Sequence, residues 1–266
     1  MNNNSIGVFD SGVGGLSVWK ELIKILPNEN IIYYADSDNC PYGTKTQKEI
    51  IELSKRIVDF FITRDVKLVV VACNTATAAA IDYLRQNYTI PFIGMEPAVK
   101  QAAQRTKKGI IGVLATEGTF NGRLFNETTD KWASDIEVEV QVGKGFVELV
   151  EQANFETQEA KEIVGKVIKP LLDKGIDQLV LACTHYPFLY KTIKTVAKGT
   201  ELEIIDPAPA VAKQTQNILQ KFDLLTIQSE RQPTYEFCSS GNPKIMKRIV
   251  KIINPDILAS FEKLVL

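Results

Sequence analysis

Short apolar runs alternate with amphipathic stretches along the whole chain, and this alternation restricts the fold more than any other feature. Runs such as Ile6–Phe9, Ile31–Tyr34 and Leu68–Ala72 are short, apolar and bounded by turn residues, as buried strands are. Further runs of this kind are Ile90–Ile93, Ile110–Leu114, Ile136–Val140, Leu179–Ala182, Ile204–Ile205 and Tyr235–Phe237. Between them, apolar residues recur at helical spacing. Leu16, Trp19, Leu22, Ile23 and Leu26 share one face, as do Ile50, Leu53, Ile57, Phe60 and Phe61. Thr46-Gln47-Lys48-Glu49 has the form of a capping box ahead of the second of these helices. Strand-helix alternation predicts an α/β fold with mainly parallel sheets covered by helices on both faces.

The pattern also contains a weak internal repeat. Leu68 to Thr75 (LVVVACNT) resembles Gln178 to His185 (QLVLACTH): each is an apolar strand that ends in Ala-Cys and a polar pair. Upstream, Ile6-Gly7-Val8-Phe9 resembles Ile111-Gly112-Val113-Leu114 in the same order. Duplication predicts two pseudo-symmetric lobes, each offering one cysteine at the C-terminal end of a strand, where open α/β sheets bind ligands. Asp206-Pro207-Ala208-Pro209 reads as a crossing point into a Pro-started helix. We therefore expect one lobe from residues 1–96 plus 207–266, carrying Asp10 and Cys73. Residues 97–206 form the other, carrying Cys183 and His185, with the active site in the cleft between them.

Charge excludes several functions. With 31 Lys+Arg against 32 Asp+Glu the formal net charge is -1, so no basic excess suggests a nucleic-acid partner or an anionic membrane. No apolar run approaches the ~20 residues needed to cross a bilayer. The polar start, Met1 to Ser5, lacks the pattern of a signal peptide, and a cytoplasmic location is expected. The four cysteines, Cys40, Cys73, Cys183 and Cys238, include no CxxC pair, which argues against a structural zinc site. No metal-ligand cluster and no lysine motif for pyridoxal phosphate is visible, so no cofactor is expected.

Free cysteines are ordinarily small apolar residues of the core. Cys73 and Cys183, however, both lie at strand-to-loop junctions, are followed by polar residues, and precede expected helix starts, with Pro187 suited to a first turn. A helix N-terminus favours the thiolate, so the pair reads as functional. Asp10-Ser11-Gly12-Val13-Gly14-Gly15 follows the first strand but is neither GxGxxG nor a P-loop. It reads as a turn that exposes backbone N–H groups to a substrate carboxylate, with Asp10 free to handle protons. His185, the only histidine, stands two residues after Cys183, where it tunes that thiol or carries a proton itself. By composition alone Pro41-Tyr42-Gly43-Thr44 is a turn, Cys40 and Cys238 are structural, and Glu151 is an exposed helix residue.

At this point the residues resemble a known family, the cofactor-independent glutamate racemases. The resemblance is carried by GVFDSGVGGLSV (7–18), PYGTK (41–45), VVACNTATA (70–78), GVLATEGT (112–119) and LACTHYP (181–187). It implies glutamate bound between two lobes and makes Cys73 and Cys183 the catalytic thiols. The thiol matching Cys73 takes the proton from D-glutamate, and the one matching Cys183 takes it from L-glutamate. Asp10, Ser11, Tyr42, Gly43, Asn74, Thr75, Thr184 and His185 fall on substrate-binding positions, and Asp10 and His185 also match residues that assist the thiols. Glu151 falls where the family often has an assisting Glu, although the usual CPLFVPLVE reads GKGFVELVE here (143–151). Near the C-terminus a TTGD-like segment is replaced by Ser239-Ser240-Gly241-Asn242. The family supplies D-glutamate for bacterial peptidoglycan, and its members are commonly dimers, so a homodimer is expected.

Three rivals remain open at this level. An aspartate racemase of the same superfamily often carries Glu after the second Cys-Thr, where this chain has His185. A Cys-His hydrolase would leave one thiol unexplained, and an amino-acid-binding protein would leave both idle.

Overall fold

The computed structural model describes residues 3–96, 98–120, 122–226 and 232–266. Among the described residues ten strands form two sheets, and every strand pairing in them is parallel. The first sheet contains β1 (Ile6–Asp10), β2 (Ile31–Ala35), β3 (Leu68–Val71) and β4 (Phe92–Gly94). The second contains β5 (Ile110–Ala115), β6 (Glu137–Val142), β7 (Gln178–Ala182) and β8 (Glu203–Ile205), and β9 (Tyr235–Ser239) with β10 (Ser260–Lys263) return to the first. The orders are β10-β9-β2-β1-β3-β4 and β6-β5-β7-β8.

The repeat read from the sequence is a repeat of topology. β2-β1-β3-β4 and β6-β5-β7-β8 are the same arrangement, with Cys73 beyond β3 and Cys183 beyond β7. The order reverses at β1–β3 in one sheet and at β5–β7 in the other. At such a switch point neighbouring loops leave in opposite directions and open a crevice at the carboxyl ends.

β1, β2, β3 and β7 are buried along their whole length, as strands covered by helices on both faces must be. The capping box forms: Thr46 Oγ1 accepts from Glu49 N, and Thr46 N donates to Glu49 Oε2 at 2.8 Å, opening the helix Gln47–Thr63. The return helix Ala208–Lys221 packs against Leu16–Ile25. Nine of the ten strands were legible as apolar runs. β1, β2, β4 and β5 end one residue beyond their runs, β6 and β9 end two beyond, and β10 has no apolar run at all. Ser260-Phe261-Glu262-Lys263 is an exposed edge strand, and an edge is better served by polar residues. Its aromatic anchor is Phe261, stacked on Phe237 with ring centroids 5.0 Å apart. No helix among the described residues is long and apolar enough to cross a membrane.

One buried ion pair staples the first sheet. Lys67, just before β3, meets Glu29, just before β2, at 2.5 Å, and both side chains are almost wholly buried. Glu29 also accepts from Thr226 N and Thr226 Oγ1, each at 2.8 Å. Lys67→Met should leave that carboxylate buried without its cation, at a cost of about 3–5 kcal/mol. For a chain of this size this is a fall in Tm of roughly 10 °C. Lys67→Met combined with Glu29→Gln should regain much of the loss in the same melt. A single variant that melts with the parent would mean that the pair contributes nothing.

Candidate active site

The first wall of the site grows from β1. Asp10, its last residue, is fully buried. Its carboxylate accepts from Gly12 N at 2.8 Å and from Thr184 Oγ1 at 2.9 Å. Val13 N donates to Glu151 Oε1 at 2.7 Å, and Ser17 Oγ donates to the Thr184 carbonyl at 3.0 Å. The expected exposed row of N–H groups is therefore corrected: at Gly12 and Val13 they are already taken by protein carboxylates. What the turn does is bind one lobe to the other. At Gly14 a Cβ would run into the His185 ring, so the close approach of the two lobes requires glycine there.

Asp10 is not free either, but burial equips it to hold a proton. Loss of water raises its pKa to about 6, against the opposing pull of His185, the Gly12 N–H and the Thr184 hydroxyl. A carboxyl raised on folding destabilises the fold once ionised. That contribution to stability is complete below about pH 3.8 and is lost as pH rises through about 6. About two pKa units correspond to roughly 3 kcal/mol. Unfolding titrations should therefore show Asp10→Asn gaining on the parent by about that amount between pH 4 and pH 8. A pH-independent difference would contradict this.

The two thiols sit in different surroundings. Cys73 is the N-cap of the helix Asn74–Asn87 and its Sγ accepts from Ala76 N at 3.4 Å. Ser11 Oγ lies 3.9 Å away. The helix N-terminus expected here is present, yet the thiol is not acidified. Burial pushes its pKa far up, the Asp10 carboxylate adds to this, and the Ala76 N–H offsets only part. After Cys183 the chain forms a 3₁₀ turn, Tyr186–Leu189, before the helix Tyr190–Val196 begins. Cys183 consequently lacks a direct helix cap and faces His185 Nδ1 at 3.8 Å.

His185 Nε2 meets Glu151 Oε1 at 2.7 Å. Burial opposes charge on the imidazole, but hydrogen bonding to Cys183, Cys40 and Glu151 outweighs it and holds the pKa well above the usual range. Burial likewise works against Glu151, yet His185 and the Val13 N–H keep its carboxyl below its ordinary value. The exposed helix residue expected from composition is thus half-buried, because its own helix, Phe146–Glu151, ends against the glycine turn.

Both thiols line one cavity, together with Ser11, Asn74, Thr184 and His185. Tyr42, Gly43 and Thr75 complete the predicted lining, and Thr116 and Val147 were not foreseen. Asp10 and Glu151 stand behind this lining. The cavity between the thiols measures only about 10 Å³, scarcely room for one water molecule and too little for an amino acid. Tyr42 Oη donates to Asp36 Oδ2 at 2.6 Å, which commits its hydroxyl to the first lobe. Ser240 Oγ accepts from Asp38 N at 3.0 Å, so the altered Ser239–Asn242 segment braces the loop that leads to Tyr42.

Asn74 is the exception to this satisfied network. Its amide oxygen and nitrogen are both buried without a hydrogen-bond partner. Buried polar groups are nearly always paired, so an orphaned amide on a cavity wall is a group prepared for a ligand.

A phosphate cradle is excluded by the two N–H groups that already serve carboxylates. Among the described residues one donor set suits a metal: Cys40, Glu151 and His185 bring their ligand atoms within 4.8 Å of one another. Cys40, read from composition as structural, thus stands beside two residues of the site. Its burial raises its thiol pKa, against the pull of His185. Sequence spacing could not reveal this, because the three residues meet only through tertiary structure.

Two parallel α/β lobes thus bring their switch points, and a thiol each, to one cavity. Residues 6–215 match the family described as Asp/Glu/Hydantoin racemase, and the chain belongs to that family. It is an isomerase of the amino-acid racemase class. The glutamate racemase of Herpetosiphon aurantiacus is 46% identical over 249 residues, which cover 94% of this chain and 97% of that protein. Among solved structures, a glutamate racemase isoform of Bacillus anthracis matches with a TM-score of 0.86 at 32% identity, covering 100% of this chain and 99% of the other. The Escherichia coli glutamate racemase, solved with L-glutamate and the activator UDP-MurNAc-Ala, matches at 0.86 and 29% identity, covering 98% of each chain.

Proposed function

We propose that this chain interconverts L- and D-glutamate, with Cys73 and Cys183 as the two acid/base groups. The observation that carries the proposal is one cavity lined by both thiols, with the unpartnered Asn74 amide between the lobes. An α-proton is weakly acidic, so its removal demands a positioned base and stabilisation of the carbanionic transition state. Inversion demands a base on one face and an acid on the other. Duplicated lobes that each present a thiol meet this demand.

Cys183 takes the proton of L-glutamate and Cys73 returns one to the opposite face; the reverse reaction exchanges the roles. Glu151 holds His185, and His185 serves Cys183. Asp10 stands behind Cys73 as a carboxyl that changes charge near neutrality. Ser11, Tyr42, Gly43, Asn74, Thr75, Thr184 and His185 receive the substrate through hydroxyl, amide and backbone groups. Among the described residues no Lys or Arg side chain lines the cavity. Since the cavity is too small for an amino acid, substrate enters when the lobes part and is then enclosed.

Relatives at 39–46% identity are glutamate racemases, and His185 follows the second Cys-Thr; both favour glutamate over aspartate. A hydrolase would leave one of the facing thiols without work. We place the lobe boundaries near residues 97 and 206; residue 97 itself lies outside the described residues. The product, D-glutamate, fits a supply role in peptidoglycan synthesis, in the cytoplasm, by a homodimer.

Polarimetry tests the reading. L-Glutamate should lose its rotation completely, D-glutamate should approach the same end point, and aspartate should hold its rotation. Treatment with EDTA or removal of pyridoxal phosphate should leave the rate intact. An activity that EDTA abolishes and a metal restores would overturn the cofactor-free mechanism.

A further inference from the structure

Cys40 has no part in the proposed proton transfers, yet it faces the residues that serve Cys183. Its Sγ, a carboxylate oxygen of Glu151 and a ring nitrogen of His185 lie within 4.8 Å of one another. They come from three separate segments: the loop after β2, the end of the helix Phe146–Glu151, and the residue two beyond Cys183. Gly12 forms the wall beside them. A Cβ there would collide with the Glu151 carboxylate and lie 3.2 Å from Cys40 Sγ.

We propose that this group is an inhibitory binding site for a zinc-class divalent cation. Thiolate, imidazole and carboxylate are the ligands of zinc, and a thiolate disfavours magnesium and calcium. One thiolate and one carboxylate cancel the charge of a divalent ion, which meets the demand that a buried charge be compensated. Three protein ligands leave a fourth position for water. On ligation the thiol proton of Cys40 and any proton on His185 Nε2 pass to solvent, and the Nε2–Glu151 hydrogen bond opens.

Occupancy removes the Glu151 partner that holds His185, and it fixes a cation on the ring that faces Cys183. The thiol then works beside an imidazole that no longer exchanges a proton with Glu151. The inhibitory effect rests on the proposed two-thiol function; the binding does not.

The test separates the two. Cobalt(II) titrated into the chelator-treated, full-length protein should produce a near-ultraviolet thiolate-to-cobalt charge-transfer band. That band should disappear in C40S and persist in both C73S and C183S. Glu151→Gln should weaken cobalt binding by roughly 10–100-fold or more. In the unaltered protein, zinc should protect Cys40 from iodoacetamide, as read by peptide mapping, which needs no variant to fold. Zinc should also slow L-glutamate racemisation, EDTA should restore it, and C40S should need at least tenfold more zinc relative to its own uninhibited rate. No band, a band retained in C40S, or unprotected Cys40 would overturn the site. A band with no change in racemisation would overturn the inhibition alone, and a protein without racemase activity would still answer the binding question.

Discussion

Cys183→Ser should lower kcat for L-glutamate by about 10²–10⁴-fold, the range supplied by one positioned acid/base group. Cys73→Ser should fall comparably. Serine fills the space of either thiol, but a hydroxyl is a far poorer base than a thiolate. KM should move much less than kcat, since the proposed substrate contacts on Asn74, Thr75 and Thr184 are untouched. The surroundings of the two thiols add a second, finer expectation. His185 lies 3.8 Å from Cys183, and Asp10 acts on Cys73. His185→Gln should therefore slow proton removal from L-glutamate more than from D-glutamate when the two initial rates are compared. A Cys183→Ser enzyme with near-normal turnover would end the two-thiol reading, whatever the assisting groups do.

The frame that places these thiols was readable because it is written in apolar runs. Burial on both faces forces β1, β3 and β7 to be continuous hydrophobic segments, and Ala-Cys at two strand ends marked the repeat. The weakness lay where tertiary contacts decide. Cys40 lies 111 residues from Glu151 in sequence, and no local pattern joins them. Glu151 looked solvent-facing because its helix was read alone, without the glycine turn that packs over it. The pKa of Cys73 ran against the sequence reading for a related reason. The helix N-terminus was foreseen correctly, but the depth of burial was not, and burial outweighs the N–H of Ala76. Local rules saw the acidifying influence and missed the larger opposing one. The polar edge strand β10 escaped because it has a single anchoring aromatic, Phe261.

Heavy water offers the sharpest test of the geometry. Enzyme equilibrated in D₂O should carry deuterium on the Cys73 thiol before pure L-glutamate is added. In the proposed mechanism Cys183 removes the α-proton from one face, and Cys73 delivers deuterium to the other. The first D-glutamate formed should thus be almost wholly deuterated at the α-carbon. Remaining L-glutamate should stay largely protonated. In the two-thiol mechanism a return from Cys183 redelivers the proton it has just taken or loses out to forward transfer. Substrate started as D-glutamate should give the mirror result, with deuterium in the L-product. A single base serving both faces predicts the opposite, since it carries the substrate's own proton into the product. Early D-glutamate that retains most of its original α-proton would refute the two-thiol mechanism even if both cysteine variants were inactive, because inactivity alone cannot distinguish a lost base from a disturbed site.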